Sequence, residues 1–291
     1  MTTNRDVLVD AERRLHNAQI ETPGVDAAEI LAVVLGVNRN RIHLHDVIDE
    51  EDRIKFERLL AKRLNRIPLQ HLTGSAPFRH IELAVGPGVF IPRPETELVA
   101  EAAIRHLKEC VDPVAVDLCA GSGAIAISMA LEVPGTRVFA VELSADAYPW
   151  LNKNATEIET SVPVTIINAD ATDAAIPELV ELVGDCDVVT CNPPYIPIGM
   201  VPRDPEVRDH EPEMALYGGD DGLDVVRGIL LNAAMLLKSG GLLVIEHADV
   251  QGPGSDTGSV VDVVEASGFF AQVSDRQDYN QRPRFTLATR I

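Results

Sequence analysis

The stretch that decides the fold lies at residues 114–123 and reads Val-Ala-Val-Asp-Leu-Cys-Ala-Gly-Ser-Gly. Its first five residues form a short run of strand length, and the glycines that follow are typical of a tight turn into a helix. Glycines at such a turn let the backbone approach a ligand, and the N-terminus of the next helix offers free N–H groups. The stretch therefore predicts a strand, a glycine-rich binding turn and a helix.

Outward from this turn, short apolar runs alternate with amphipathic stretches. The runs lie at residues 114–118, 137–141, 164–167, 188–191, 242–245, 269–273 and 285–288. This alternation predicts an α/β fold with a doubly wound, mostly parallel, Rossmann-like sheet of seven strands. In such a sheet the first and fourth strands are neighbours, so their carboxyl ends face each other across a crevice.

The first seventy residues show helical periodicity instead. Residues 50–65 open with acids and end with bases, as the helix dipole favours. The basic side chains of this segment predict a solvated face, with contact to a partner surface as the alternative: Arg53, Lys55, Arg58, Lys62, Arg63 and Arg66. Residues 78–90 alternate like a strand pair around Gly86-Pro87-Gly88. A chain of 291 residues suits more than one domain. We therefore predict a helical domain at 1–74, a β-hairpin linker at 75–94 and an α/β domain at 95–291.

The net charge is −20 and is unevenly distributed. Residues 1–110 carry 15 Lys and Arg against 17 Asp and Glu, whereas residues 111–291 carry 10 against 28. A surface this acidic repels phosphate backbones, which disfavours direct nucleic-acid binding. The sequence shows no membrane span, no signal peptide and no cysteine pairing pattern, so we expect no membrane partner and a cytoplasmic location. His43 and His45 have no third ligand nearby, so we expect no metal site.

The glycine turn by itself leaves two cofactors open. Residues 121–126 satisfy the dinucleotide pattern G-x-G-x-x-G/A, and Glu142 ends the next strand 21 residues after Gly121, where a carboxylate can accept ribose hydroxyls. Asp117 favours S-adenosyl-L-methionine, because an acid just before the turn suits the ammonium of a methionine moiety and has no evident use for a pyrophosphate. Asp170, after the third strand, is placed to meet an adenine amino group, although a lone Asp in a loop is more often a cap.

Asn192-Pro193-Pro194-Tyr195 follows the fourth strand directly. An amide or aniline-like nitrogen is a poor nucleophile because its lone pair is delocalised, as the amide rotation barrier of roughly 18–20 kcal/mol indicates. The Asn192 side-chain oxygen and the Pro193 carbonyl can accept its two N–H bonds and aim the lone pair at a methyl donor. The prolines stiffen that carbonyl, and Tyr195 can pack on the planar acceptor. The tetrapeptide therefore predicts amino-group methylation, of adenine N6 or of protein glutamine.

Other segments resemble the HemK family, the protein-(glutamine-N5) methyltransferases that modify peptide chain release factors. Residues 90–97 (Phe-Ile-Pro-Arg-Pro-Glu-Thr-Glu) resemble the signature that precedes the family's catalytic domain, and residues 66–71 resemble the run upstream of it. Residues 211–224 resemble the loop after the fourth strand. Residues 278–284 resemble the last turn, which leads into an antiparallel last strand. The sequence departs from the family at Asn280 and Ala248, where glycine is usual, and at His71, where tyrosine is more usual.

The resemblance implies methyl transfer from S-adenosyl-L-methionine to the side-chain amide nitrogen (N5) of the glutamine in a Gly-Gly-Gln motif of release factors. It also implies that residues 1–74 form a substrate-recognition domain that binds the release factor. Residues 95–291 would then form the methyltransferase domain. With Asp117, the residues expected to bind the cofactor are Cys119, Ala120, Gly121, Ser122, Gly123, Glu142, Asp170, Ala171 and Asn192. The residues expected to bind the glutamine are Asn192, Pro193, Pro194 and Tyr195, and of these Asn192, Pro193 and Tyr195 are the expected catalytic residues.

Two other hypotheses stay open. A nucleic-acid adenine N6 methyltransferase shares the tetrapeptide, but the acidic second half and the lack of a basic, aromatic-interleaved segment argue against it. A non-enzymatic cofactor-binding or assembly protein of the translation machinery would tolerate the loss of Asn192. Residues 197–222 are rich in Pro, Gly and Asp and predict a long loop of the kind that forms lids or binding loops.

Overall fold

The computed structural model describes residues 3–173, 175–256 and 258–291. The chain divides into two compact units. One holds residues 3–75 with Pro202–His210, and the other holds Ala76–Val201 with Glu211–Ile291. Within the described ranges, no helix is long and apolar enough to cross a membrane. All residues of the predicted site belong to the second unit.

The first unit begins with helices α1 (Asn4–Asn17), α2 (Pro23–Leu35), α3 (Glu50–Leu64) and α4 (Leu69–Thr73). Side chains cap two of these helices: Thr3 forms a capping box with Asp6, and Asp49 accepts the Asp52 N–H at 2.8 Å. Apolar residues at helical spacing then meet in a core of this unit's own. The small N-terminal helical domain of the predicted fold is confirmed.

Strands β1 (Ser75–Phe78) and β2 (Ile81–Ala84) form the predicted hairpin as a two-stranded sheet. The predicted turn is wrong, because the chain reverses at Arg79 and His80 and not at Gly86-Pro87-Gly88. Arg79 takes a φ of +50°, and its backbone N–H donates to Glu97 Oε1 at 2.9 Å. Gly86 instead allows close packing, since a Cβ there would overlap the ring of Trp150.

The second unit is organised around a seven-stranded sheet. Its strands are β3 (Val114–Leu118), β4 (Arg137–Val141), β5 (Thr165–Ile167), β6 (Cys186–Cys191), β7 (Leu237–Glu246), β8 (Phe270–Gln277) and β9 (Pro283–Arg290). Their order is β5-β4-β3-β6-β7-β9-β8, with β3 to β7 parallel and β9 antiparallel to both of its neighbours. Each strand overlaps one of the predicted apolar runs. The predicted doubly wound sheet with an antiparallel last strand is therefore confirmed.

Helices follow most of the strands. They are α5 (Thr96–Leu107), α6 (Ala124–Glu132), α7 (Tyr148–Glu157), α8 (Pro205–His210), α9 (Glu213–Leu216), α10 (Asp224–Leu236) and α11 (Val260–Ala266). One hydrophobic cluster joins α5, α6 and α7 to the sheet, and a second joins α10 and α11 to it. Successive residues of β3 face different clusters, with Ala115 in the first and Val116 in the second. Burial of both faces explains why the parallel strands are continuous apolar runs.

We predicted a long loop at residues 197–222, and this prediction is wrong for part of the stretch. The segment contains α8, within the first unit, and α9, within the second. Pro205 begins α8 and Pro212 precedes α9, because the fixed φ of proline suits the start of a helix. After α9, Tyr217 pairs with Ile196 as a parallel bridge. The chain after α9 therefore pairs with the residue that follows the Asn-Pro-Pro-Tyr tetrapeptide.

Candidate active site

The sheet brings two of the predicted loops to one edge. β3 and β6 are parallel neighbours, with Asp117 opposite Thr190 and Leu118 opposite Cys191. The glycine turn follows Leu118 and the tetrapeptide follows Cys191, so both leave the sheet at the same edge. This edge is the topological switch point, where doubly wound sheets bind their ligands.

Asp117 lies in β3 and is 1% exposed. Its Oδ1 accepts a hydrogen bond from the Thr190 hydroxyl at 2.7 Å, whereas its Oδ2 has no hydrogen-bond partner among the described residues. Burial raises the pKa of Asp117 to about 7, and the Thr190 hydroxyl limits this rise. A buried carboxyl group with an unpaired oxygen is suited to a cationic ligand, because a buried charge is costly unless it is paired.

The turn after β3 is held by backbone hydrogen bonds. The Ala120 N–H donates to the Val141 carbonyl at 2.9 Å, and the Gly123 N–H donates to the Ala120 carbonyl at 2.8 Å. Cys119 has a φ of +63°, which is uncommon for a residue with a side chain. A Cβ on Gly121 would meet no atom within 4 Å. At Gly121 the turn therefore presents its backbone to open space.

Glu142 follows β4 and links the turn to the next strand. Its Oε2 accepts the Gly121 N–H at 2.7 Å, and its Oε1 accepts the Ser144 N–H at 2.6 Å. Burial raises the pKa of Glu142, and these two amides limit the rise. Each carboxylate oxygen keeps a further lone pair, so the group can still accept hydrogen bonds from ligand hydroxyls.

Asn154 of α7 fixes the same turn from the other side. Its Nδ2 donates to the carbonyls of Ser122 and Ala84 at 2.9 and 3.0 Å, and its Oδ1 accepts the Ala84 N–H at 2.8 Å. The side chain is 2% exposed. A buried carboxamide therefore joins the glycine turn to β2.

Asp170 and Ala171 follow β5, beyond β4 at the same edge of the sheet. Asp170 Oδ1 accepts the backbone N–H and the hydroxyl of Thr172 at 2.8 and 2.7 Å, which makes a local turn. The Ala171 carbonyl accepts a hydrogen bond from Asn232 Nδ2 at 2.8 Å. Asn232 lies in α10 and is buried, so a distant helix fixes this turn.

The tetrapeptide Asn192–Tyr195 packs against the end of β7. The Tyr195 hydroxyl donates to Oε1 of Glu246 at 3.4 Å, and Glu246 is fully buried. Burial, together with the Glu246 charge, raises the pKa of Tyr195 well above its usual value. Burial also raises the pKa of Glu246 to about 7. Tyr195 is therefore neutral at physiological pH and suited to packing, not to proton abstraction.

The backbone after the tetrapeptide is hydrogen-bonded to residues 216–222, which we call the returning loop. The Ile196 N–H donates to the Leu216 carbonyl at 2.8 Å, and the Gly218 N–H donates to the Ile196 carbonyl at 2.9 Å. The Tyr195 carbonyl accepts a hydrogen bond from Gln251 Nε2 at 2.9 Å. The tetrapeptide is therefore anchored on its C-terminal side.

Two of the family-like segments are joined by an ion pair. The Arg93 guanidinium binds the buried carboxylate of Glu211 and lies 5.0 Å from the centroid of the Phe90 ring. Arg93 belongs to residues 90–97, and Glu211 begins residues 211–224. Each segment thus supplies one half of a partly buried ion pair.

The structure thus brings the predicted residues of β3, β4, β5 and β6 to one edge of the sheet. The residues that hold them in place were not predicted from the sequence: Asn154, Thr190, Asn232 and Gln251. Across the described ranges, no group of three or more His, Cys, Asp or Glu side chains is arranged to hold a metal ion.

Two family models match consecutive parts of the chain. One, described as PrmC N-terminal domain, matches residues 6–74, and the other, described as conserved hypothetical protein 95, matches residues 72–202. Among solved structures, the chain is similar to a 16S rRNA N2 G1207 methyltransferase from T. thermophilus in complex with AdoMet and guanosine. That match has a TM-score of 0.51 and 21% identity, covers 75% of this chain and 50% of that chain, and concerns the fold alone.

Curated relatives match along the whole chain. A protein from Streptomyces coelicolor named release factor glutamine methyltransferase is 45% identical over 284 residues, which cover 97% of this chain and 96% of the relative. A protein of the same name from Mycolicibacterium smegmatis is 44% identical over 292 residues, which cover 100% of this chain and 99% of the relative. By this identity and coverage, the chain belongs to the release factor glutamine methyltransferase family.

Proposed function

We propose that this protein transfers a methyl group from S-adenosyl-L-methionine to the side-chain amide nitrogen (N5) of the glutamine in the Gly-Gly-Gln motif of peptide chain release factors. The names of its relatives support the release factor as substrate. The observation that carries the chemistry is the pairing of β3 with β6, which sets Asn192 beside the glycine turn. A donor held at that turn and an acceptor held at Asn192 would share one crevice.

Several features of the site fit S-adenosyl-L-methionine. Asp117 offers an unpaired buried oxygen to a cationic group, Gly121 borders open space, and Glu142 directly follows β4, the neighbour of the strand that holds Asp117. The residues that we propose to hold the cofactor are Asp117, Cys119, Ala120, Gly121, Ser122, Gly123, Glu142, Asp170, Ala171 and Asn192. When bound, the cofactor supplies an electrophilic methyl group on a sulfonium.

The chain's own contribution is to orient the acceptor nitrogen. The Asn192 side-chain oxygen and the Pro193 carbonyl would accept the two N–H bonds of the glutamine amide, which turns its lone pair away from both acceptors. Tyr195 would pack on the planar amide and exclude water. No side-chain base is required, because a nitrogen that gains positive charge becomes strongly acidic and loses its proton to water. Positioning and fixed dipoles thus account for the catalysis.

Adenine N6 methylation of a nucleic acid is the alternative that shares this tetrapeptide. The distribution of charge disfavours it, since residues 111–291 carry 10 basic side chains against 28 acidic ones. Such a surface repels a phosphate backbone at physiological salt. We therefore place the acceptor in a protein.

The remaining parts of the proposal concern organisation. We propose that residues 1–74 recognise the release factor, that 75–94 act as a hairpin linker and that 95–291 carry the methyl transfer. The four cysteines are free thiols. A reducing, cytoplasmic location would suit them, and it is where a release factor acts.

The test is intact-mass analysis of a purified release factor incubated with this protein and S-adenosyl-L-methionine. We expect one added methyl group on the Gly-Gly-Gln glutamine, and its loss with Asn192→Ala. Asn152→Ala is the matched control, because Asn152 is exposed on α7. No methylation by the unaltered protein would contradict the proposed substrate, and an active Asn192→Ala variant would contradict the proposed mechanism.

A further inference from the structure

The tetrapeptide leaves the sheet without a ladder of backbone hydrogen bonds to hold it. Pro193 and Pro194 have no N–H, so neither can donate to a neighbouring strand. The register of β6 with β3 ends at Cys191, and that with β7 ends at the same residue. Other contacts must therefore fix the carbonyl groups of this segment.

Gln251 supplies a contact to the tetrapeptide backbone. It lies in the short turn after β7, and its side chain is 0% exposed. Its Nε2 donates to the carbonyls of Tyr195 and Asp221, at 2.9 and 3.3 Å. Its Oε1 accepts the Ala248 N–H at 3.1 Å. One buried carboxamide thus joins the tetrapeptide, the returning loop and the end of β7.

Two glycines show how closely the returning loop approaches the tetrapeptide. A Cβ on Gly218 would overlap the Pro194 carbonyl oxygen, and a Cβ on Gly222 would overlap the Tyr195 carbonyl oxygen. The same Cβ on Gly222 would lie 2.7 Å from Gln251 Nε2. The carbonyl of Tyr195 is therefore enclosed, and Gln251 is its donor within this enclosure.

We propose that Gln251 is a positioning residue for methyl transfer, which fixes the peptide groups of the tetrapeptide through the Tyr195 carbonyl. This inference rests on the proposed function. The Pro193 carbonyl, a proposed acceptor for the glutamine amide, lies two peptide groups before the Tyr195 carbonyl. The ring of Pro194 fixes one of the torsions between these two carbonyl groups, so a displacement of the Tyr195 peptide group is passed on more directly to the Pro193 carbonyl. Displacements of about 1 Å at a reacting centre can lower a rate by roughly a hundredfold.

The first test compares Gln251→Met with Gln277→Met. Methionine has about the same length as glutamine but donates no hydrogen bond, and Gln277 is exposed in β8. We expect Gln251→Met to lower kcat on a release factor by about tenfold or more, because the carbonyls of Tyr195 and Asp221 lose this donor. The affinity for S-adenosyl-L-methionine, measured by calorimetry, should change less than about twofold, because the hydrogen bonds of Gln251 do not involve the glycine turn. Gln277→Met should behave like the unaltered protein.

Hydrogen exchange provides a readout that does not depend on activity. The Ile196 N–H is bonded to Leu216 directly after the tetrapeptide. We expect faster exchange of the peptide covering residues 192–198 in Gln251→Met and unchanged exchange in Gln277→Met, both without ligand. Unchanged exchange together with full kcat would overturn the inference. Equal losses of kcat and cofactor affinity would also overturn it, since they indicate general disruption.

Gln251→Glu keeps the inference testable if Gln251→Met does not fold. A glutamic acid at this position can donate to the Tyr195 carbonyl only when it is protonated, and its burial favours the protonated form. We expect its kcat relative to the unaltered protein to fall as pH rises from about 6 to about 9, as the donor is lost. A ratio independent of pH would overturn the inference. If the unaltered protein does not methylate a release factor, the proposed function fails, whereas the exchange experiment still decides the role of Gln251.

Discussion

At the scale of single residues, Asp117 and Glu246 of the second unit are buried carboxyl groups that lack a full set of hydrogen-bond partners. Asp117 is 1% exposed and Glu246 is 0% exposed. One oxygen of each has no hydrogen-bond partner among the described residues. Burial raises the pKa of each group to about 7. Both groups therefore change charge near physiological pH. They lie in β3 and β7, the two strands that flank β6, which leads into the tetrapeptide.

The pKa of Asp117 predicts a pH-dependent affinity for the cofactor. If Asp117 pairs with the ammonium of S-adenosyl-L-methionine, it must be ionised, so the dissociation constant should fall as pH rises from about 6 to about 8. Asp117→Asn should bind more weakly and lose most of this dependence. Calorimetry at several pH values measures both effects. Asp146→Asn, at an exposed position, is the control. An unchanged pH dependence in Asp117→Asn would contradict the pairing.

The pKa of Glu246 predicts a stability that falls as pH rises. Between the unfolded pKa of about 4.3 and the folded value, the native state holds a proton that the unfolded state has released, so stability decreases with pH in that window. Glu246→Gln is neutral at all pH values and lacks this loss. We therefore expect the Tm of the variant, relative to the unaltered protein, to increase between pH of about 5 and about 8. A constant Tm difference across that range would refute this account.

Local sequence identifies the proposed binding residues of the site but not the residues that hold them in place. Asp117, Glu142 and Asn192 are recognisable because each lies in or directly after an apolar run. Asn154 and Gln251 bind groups that are 32 and 56 residues away in the chain. No pattern within a window of sequence signals such a pairing, because it depends on how the helices and loops fold onto the sheet. Buried carboxamides of this kind become visible only in the folded structure.

At the scale of elements, apolar runs predicted strands more reliably than glycines predicted turns. All seven runs of the second unit lie on strands, because burial of both sheet faces leaves a strong signal. In the hairpin, the turn lies at Arg79 and His80, although Gly86-Pro87-Gly88 is the stronger turn pattern. Gly86 is required for another reason, since Trp150 packs directly on it. A glycine can mark a turn or a close approach, and the sequence does not distinguish the two.

The close approach of Gly222 to the Tyr195 carbonyl predicts that this loop affects catalysis. Gly222 and Gly199 both have positive φ, +78° and +95°, within the stretch after the tetrapeptide. Substitution by alanine costs each about 1 kcal/mol in backbone strain. Only Gly222→Ala also places a Cβ against the Tyr195 carbonyl, whereas a Cβ on Gly199 meets nothing within 4 Å. We expect Gly222→Ala to lower kcat at least tenfold more than Gly199→Ala, in steady-state methylation assays. Equal kcat values would show that the loop does not position the tetrapeptide.

At the scale of the whole molecule, the chain does not divide at a single boundary. Pro202–His210 belongs to the first unit, although the chain on either side of it belongs to the second. Arg63 was expected on a solvated face, and this prediction is wrong. Its side chain is 8% exposed, and it binds Asp26 at 2.6 Å and Glu206 of α8 at 2.7 Å. Helical periodicity located the helix but not this partner, because Glu206 is 143 residues further along the chain.

This ion pair predicts a selective loss of stability in the first unit. Arg63→Met leaves Asp26, which is 2% exposed, without its cationic partner, and the expected cost is about 3–5 kcal/mol. Arg58→Met is the matched control on the same helix, because Arg58 is exposed, and its effect should stay within about 0.5 kcal/mol.

The two units offer separate probes of this effect. The chain has one tryptophan, Trp150, in the second unit, whereas the first unit is built from helices. In urea, we expect Arg63→Met to shift an early transition in far-UV circular dichroism to lower concentration while the transition in Trp150 fluorescence stays in place. Equal shifts of both signals would contradict the prediction. They would show that the two units unfold together, so that the buried Arg63 contributes to the stability of the second unit as well.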